Sequence, residues 1–177
     1  ALQRLADAGY VGANVTLPHK ENAFRAMDEL TPAAAALGAV NTISFKDGKI
    51  CGANTDGGGF IASLDEGAPG HAWRDKPVLL IGAGGAARAL IVALAAAGVP
   101  EIRLTNRTRA RAEALQELAG GAVHIGDWER RGALAAGCGL LVNTTGLGMD
   151  KNPPLDMPLD AMGADGLVCD IVYTPLE

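Results

Sequence analysis

Val78-Leu79-Leu80-Ile81-Gly82-Ala83-Gly84-Gly85-Ala86-Ala87 is the stretch whose reading decides the fold. Four consecutive apolar residues, two of them β-branched at the ends, read as a strand buried on both faces. Gly82-x-Gly84-x-x-Ala87 then matches the spacing of a dinucleotide-binding turn. Gly82 permits the tight turn, Gly84 lets a pyrophosphate approach the backbone, and Ala87 keeps the following helix close to the sheet. The apolar run from about Ala86 to Ala97 supplies that helix, and Glu101 to Thr105 supplies a second strand. A helix opening after such a turn offers unpaired N–H groups to phosphate. The glycine pattern alone is a weak signal; strand before and helix after give it the context of a Rossmann-type unit.

The end of the second strand bears on cofactor choice. A carboxylate there accepts from the ribose 2′-hydroxyl of NAD. This chain instead has Asn106-Arg107-Thr108, with Arg109 and Arg111 beyond. Guanidinium groups pair with a 2′-phosphate, which a carboxylate would repel. The reading is NADP, with the alternative that Arg109 and Arg111 are solvated helix residues pairing with Glu113.

Working outward, a helix with alternating charge is expected from Thr108 to Leu118, and strands at Val123–Ile125, Leu140–Asn143 and Leu167–Val172. Toward the N-terminus, Leu2, Leu5 and Ala6 share one helix face, and Tyr10 to Leu17 reads as a short strand. Lys20 to about Leu30 reads as a helix. Thr31-Pro32 is a helix start that runs to Gly38, with Thr as N-cap and Pro at the first position. Ala39–Phe45 and Lys49–Ala53 flank Lys46-Asp47-Gly48, a hairpin signal. A helix opens near Asp56. Strands alternating with helices make an α/β protein with a parallel sheet in its second half. The expected organisation is a partial substrate-binding domain over 1–56 and a doubly wound, parallel-sheet NADP domain over 57–177.

Composition narrows the class further. The 177 residues are 49% hydrophobic but only 4% aromatic, so the core rests on small aliphatic side chains. Net charge is -5 and no basic stripe occurs, which argues against nucleic acid. The longest apolar run, Ala89 to Val99, is too short to span a bilayer, and the start shows no secretory signal. The three cysteines are isolated, without metal-ligand spacing, and read as small hydrophobes in a reducing compartment. A cytoplasmic enzyme acting on a small molecule fits, without a metal, and a homodimer is left open.

Three polar clusters stand at expected strand ends: Asn14-Val15-Thr16-Leu17-Pro18-His19-Lys20, Gly38-Ala39-Val40-Asn41-Thr42 and Gly52-Ala53-Asn54-Thr55-Asp56-Gly57. Open α/β sheets bind ligands there. Hydroxyls, amides, one ammonium and one carboxylate suit a polyhydroxylated substrate. An ammonium stabilises and protonates the alkoxide left by hydride transfer, and a carboxylate orients it. Lys20 also reads as a solvated helix-start residue and Asp56 as an N-cap. His19 reads as a loop residue, and His71 and His124 as residues without chemistry.

These clusters, the Gly82–Ala87 turn, Asn106-Arg107-Thr108, Val142-Asn143-Thr144-Thr145 with Gly148-Met149, and Asp170-Ile171-Val172-Tyr173 together resemble the shikimate dehydrogenase family, in the family's order and along the whole chain. The resemblance implies NADP-dependent interconversion of 3-dehydroshikimate and shikimate, in aromatic amino acid biosynthesis. It implies Lys20 and Asp56 as the catalytic pair, and Thr16, Lys20, Asn41, Asp56 and Tyr173 as substrate ligands. Gly82, Ala83, Gly84, Gly85, Ala86, Asn106, Arg107, Thr108 and Arg111 are implied as NADP contacts, with Ile171 against the nicotinamide. The family's N-terminal strand and helix with a serine-rich motif, and its C-terminal helices, have no counterpart in these residues. The alternatives are a quinate/shikimate dehydrogenase of broader substrate use and a non-catalytic NADP-binding module.

Overall fold

The computed structural model describes residues 2–16, 18–172 and 174. The chain divides into two compact units, Ala1–Phe60 and Ile61–Glu177.

The first unit is built on a mixed four-stranded sheet. Helix α1 (Leu2–Asp7) precedes β1 (Gly12–Asn14), α2 (Lys20–Phe24), β2 (Glu29–Leu30) and α3 (Pro32–Leu37), and then come β3 (Thr42–Lys46) and β4 (Lys49–Ala53). The sheet order is β1-β3-β4-β2, with β1 and β4 antiparallel to β3 and β2 parallel to β4. The hairpin between β3 and β4 closes on Asp47 and Gly48, both at positive φ (50° and 76°), as a two-residue primed turn requires. Helix α3 is bounded as its sequence indicates. The Thr31 hydroxyl accepts from Ala34 N–H at 3.3 Å, Pro32 opens the helix, and Gly38 ends it at φ 62°. Such a cap stabilises a helix by about 1 kcal/mol. Ala34, Val40 and Ile43 form the buried core, with Leu2, Val15, Met27 and Leu30 packed on it. Beside edge strand β1, Tyr10 and Val11 are 59% and 86% exposed.

One expected element is shorter in the fold. The helix from Lys20 stops at Phe24, because β4 takes over the backbone groups that follow. Asp28 N–H donates to Ile50 O at 2.8 Å, the Asp28 carboxylate accepts from Ile50 N–H at 2.8 Å, and Thr31 N–H donates to Gly52 O at 3.0 Å. This pairing creates β2.

Helix α4 (Asp56–Gly67) contains the division between the units. The second unit holds β5 (Val78–Ile81), α5 (Gly85–Ala96), β6 (Ile102–Thr105), α6 (Arg109–Glu113), β7 (Val123–Ile125), α7 (Arg131–Leu134), β8 (Leu140–Asn143) and β9 (Leu167–Asp170). All five strands are parallel, in the order β7-β6-β5-β8-β9. Every residue of β5 and β8 is buried. Helix α5 buries Ala87, Leu90, Ile91 and Leu94, a stripe at helical spacing. On the alternate residues of β5, Leu79 and Ile81 pack with Leu141, Ala135 and Cys138, and with Trp128, Leu134 and Met162 around them. Strands covered on both faces are what a doubly wound sheet demands.

Two local readings change here. The helix expected from Thr108 to Leu118 runs only over Arg109–Glu113 and tightens into a 3₁₀ turn at Gln116–Ala119, ended by Gly120 at φ 57°. The 3₁₀ turn Trp128–Arg130 and helix α7 have no counterpart in the sequence reading. They are held by tertiary bonds: Arg103 donates to Leu134 O at 2.8 Å and Ala136 O at 2.6 Å, and Arg131 lies 4.9 Å over the Trp128 ring. Cys138 is buried and Cys51 and Cys169 half-buried; burial raises the thiol pKa of Cys138 and Cys169.

Candidate active site

Three strand ends at one edge of the first sheet bring the polar clusters together. Register places Asn14 opposite Thr42, and Thr42 opposite Ala53. Just beyond, Val15 N–H donates to Asn41 O at 2.8 Å and Asn41 N–H donates to Ala53 O at 3.0 Å. Asn41 is therefore held by the continuation of both neighbouring strands. Val40 N–H donates to Lys20 O at 3.0 Å, which fixes the first residue of α2 beside the same edge.

The side chains converge on Asp56, the first residue of α4. One carboxylate oxygen accepts from Lys20 Nζ at 2.8 Å, the other from Asn41 Nδ2 at 2.7 Å. Lys20 is 23% and Asp56 43% exposed, so the pair stays open to an incoming ligand. Asp56 stands inside the first helical turn rather than at the cap: its N–H donates to Asn54 Oδ1 at 3.1 Å, and Gly59 N–H donates to Thr55 O at 2.9 Å. Asn41 Oδ1 in turn accepts from Thr55 N–H at 3.0 Å and Thr42 Oγ1 at 2.9 Å. Thr42, Asn54 and Thr55 belong to the three polar clusters but carry no expected role in the sequence. Their signal was their position beside Asn41 and Asp56. Thr16 is exposed and follows Val15 at this edge, without a hydrogen bond to the trio among the described residues. Tyr173 lies outside the described residues.

In the second unit, Gly82 has φ +108°, and a Cβ there would meet Thr144 Oγ1 at 2.7 Å and Thr145 Cγ2 at 2.8 Å. Glycine is required on both counts. A Cβ at Gly84 or Gly85 would meet nothing within 4 Å, and both are exposed. Gly84 caps the twelve-residue helix α5 without a side-chain cap. Open space beside a helix N-terminus fits a pyrophosphate. Ala83 and Ala86 flank it, half-buried.

At the end of β6, Asn106 Nδ2 donates to Thr108 O at 2.8 Å, shaping the loop. Arg107, Thr108 and Arg111 are exposed, and among the described residues neither of these arginines makes an ion pair. Arg109 differs: it pairs with Glu113 at 2.8 Å and Asp127 at 2.6 Å. Two free guanidinium groups and no carboxylate at the strand end suit a 2′-phosphate. Ile171 is half-buried after β9. His19 is exposed in the turn before α2. His71 does have a partner, Nε2 standing 2.7 Å from Asp165 O, a loop contact invisible in sequence.

The shikimate dehydrogenase substrate-binding domain matches residues 1–43, and the shikimate/quinate 5-dehydrogenase domain matches residues 67–138. The NADP(+)-dependent shikimate dehydrogenase of Cereibacter sphaeroides is 50% identical over 170 residues. The chain belongs to the shikimate dehydrogenase family. That alignment covers 96% of the chain and 61% of the relative, so the chain spans under two thirds of the length of this family member. Among solved members of the shikimate dehydrogenase fold, quinate dehydrogenase from Corynebacterium glutamicum in complex with NAD superposes with TM-score 0.89 at 32% identity, over 99% of this chain and 64% of that one. Shikimate 5-dehydrogenase from Thermus thermophilus, in complex with NADP(H) and shikimate, superposes with TM-score 0.80 at 36% identity, over 98% and 63%.

Proposed function

We propose that this chain carries the reaction centre of an NADP-dependent dehydrogenase that interconverts 3-dehydroshikimate and shikimate. The observation that carries the reading is the Asp56 carboxylate, bound through one oxygen to Lys20 and through the other to Asn41. Bound NADPH supplies the hydride. Lys20 Nζ stabilises the alkoxide that forms on the ketone oxygen and gives it a proton. Asp56 fixes the ammonium and accepts from a substrate hydroxyl, while Asn41 holds Asp56 in that pose. Thr16 and Tyr173 complete the substrate contacts. Gly82 to Ala86 receive the pyrophosphate, Asn106 to Thr108 and Arg111 the 2′-phosphate, and Ile171 the nicotinamide face. The two domains divide the labour, 1–56 for substrate and 57–177 for cofactor.

Support comes from the relatives' names, NADP(+) shikimate dehydrogenase at 50% identity above all. A second reading, use of quinate as well, is favoured by the likeness to the Corynebacterium glutamicum quinate dehydrogenase. Cytoplasmic residence and a homodimer go with either. Among the described residues no helix is long and apolar enough to cross a membrane. The test is NADP+ reduction with shikimate and quinate in parallel, with Lys20→Ala as control. Turnover of neither substrate alongside intact NADP+ binding would replace this reading by a non-catalytic dinucleotide module.

A further inference from the structure

Asn143 closes β8 and is 2% exposed. Both ends of its amide are engaged. Nδ2 donates to the two Asp170 carboxylate oxygens at 3.1 and 3.0 Å, and to Leu147 O at 3.2 Å. Oδ1 accepts from Thr145 N–H at 3.0 Å and from Thr145 Oγ1 at 2.7 Å. Asp170 closes β9 opposite Asn143 in register, and it also accepts from Val172 N–H at 2.8 Å. Thr145 Oγ1 accepts from Leu147 N–H at 3.0 Å. One amide thus shapes the loops leaving two neighbouring strands. The loop leaving β8 presses on the glycine turn as well. Thr144 Oγ1 donates to Ile81 O at 2.8 Å, and Thr144 and Thr145 fill the space where a Cβ on Gly82 would stand.

Sheet order gives the direction of this effect. The end of β6 flanks the glycine turn on one side, and the ends of β8 and β9 flank it on the other. A dinucleotide with its pyrophosphate on Gly84 and its 2′-phosphate at Arg107 and Arg111 has its nicotinamide half directed toward β8 and β9. We propose that Asn143 and Asp170 are positioning residues that order the β8 and β9 loops for the nicotinamide half of the cofactor, without acting on the adenosine half. This rests on the NADP reading above.

The experiment measures Kd by calorimetric titration with two probes, NADP+ and 2′,5′-ADP, the second lacking the nicotinamide half. Asp170 is exposed, so Asp170→Ala leaves the core packed. Asp170→Ala is expected to weaken NADP+ about tenfold, the scale of one lost hydrogen bond, while 2′,5′-ADP stays within about twofold. Asp170→Asn keeps an acceptor for Asn143 and Val172 and restores NADP+ affinity to within about twofold of the parent. Asn143→Asp sets two carboxylates face to face and reproduces the Asp170→Ala pattern. Equal losses for both probes, or no recovery with Asp170→Asn, would overturn the positioning role. Failure of the parent chain to bind either probe would instead overturn the NADP reading.

Discussion

Lys20 and Asp56 stand 36 positions apart in the chain and meet at 2.8 Å. Neither is brought there by its own helix. Lys20 is fixed through the hydrogen bond from Val40, and Asp56 through Asn54 and Asn41. The ammonium is thereby aimed by the sheet edge, and at 23% exposed it keeps a face open.

Lys20→Met removes the ammonium and keeps much of the stem. On the proposed mechanism the proton donor and the positive charge beside the alkoxide are both lost, so kcat is expected to fall by about 10²–10⁴. On the proposed division of the site, NADP+ affinity should hold within about twofold, since the proposed cofactor contacts all lie in the second unit. Steady-state kinetics with shikimate and a parallel cofactor titration check both. A comparable loss of cofactor binding would remove Lys20 from the reaction centre.

Arg107→Ala should weaken NADP+ far more than NAD+. A charge-assisted bond to the 2′-phosphate contributes about 1.5–3 kcal/mol, and NAD+ has no such group. Arg111→Ala should act in the same direction. Arg109→Ala should leave the ratio of the two affinities unchanged, because its guanidinium is already paired with Glu113 and Asp127. Equal losses of NADP+ and NAD+ for Arg107→Ala contradict the assignment.

Gly82→Ala and Gly84→Ala should separate stability from binding. Gly82 has φ +108° and no room for a Cβ, so alanine there should cost about 1–3 kcal/mol in urea unfolding. Gly84 has φ -98° and open space, so alanine should leave the unfolding midpoint nearly unchanged while lowering NADP+ affinity. The prediction fails where the two variants behave alike.

The Glu101–Arg103 pair sets a pH dependence of stability. Arg103 donates to Glu101 and holds its carboxyl below the ordinary value of 4.5. The unfolded chain therefore takes up this proton first as pH falls. Stability from the pair is present above about pH 4.5 and is lost progressively as pH drops through the lowered value. Glu101→Gln should flatten that part of a plot of urea midpoint against pH; an unchanged slope would show that the pair contributes nothing.

Features carried by local chemistry were legible in the sequence. Gly82 to Ala87, the Thr31-Pro32 start with its Gly38 stop, and the Asp47-Gly48 turn each impose their conformation on a few adjacent residues. The trio at the site was legible as residue types, through the family resemblance, but its hydrogen bonds were not. Elements fixed by distant partners were hidden. Strand β2 is two residues long and exists because Ile50 and Gly52 pair with it, and α7 is too short to show a period. The Asn143–Asp170 contact depends on the register of two strands, which no spacing of 27 positions announces.

Strand connectivity also sets how far the chain must search before each half assembles. Asn41 and Asp56 are 15 positions apart, joined through a hairpin of the kind that closes in about 1–10 μs. In the parallel sheet β5 pairs with β8, and the backbone bond that continues this pairing, from Thr144 N–H to Ile81 O, spans 63 positions. Two doublings of loop length add only about 1.2 kcal/mol of closure entropy, yet long-range parallel pairing is slow because its contacts come late. The Lys20–Asn41–Asp56 cluster should therefore acquire its shape early in refolding, and the turn at Gly82 late. Pulse-labelled hydrogen exchange should find the amides of Ser44 and Cys51 protected before those of Leu80 and Val142; simultaneous protection would mean that the two halves fold as one cooperative unit.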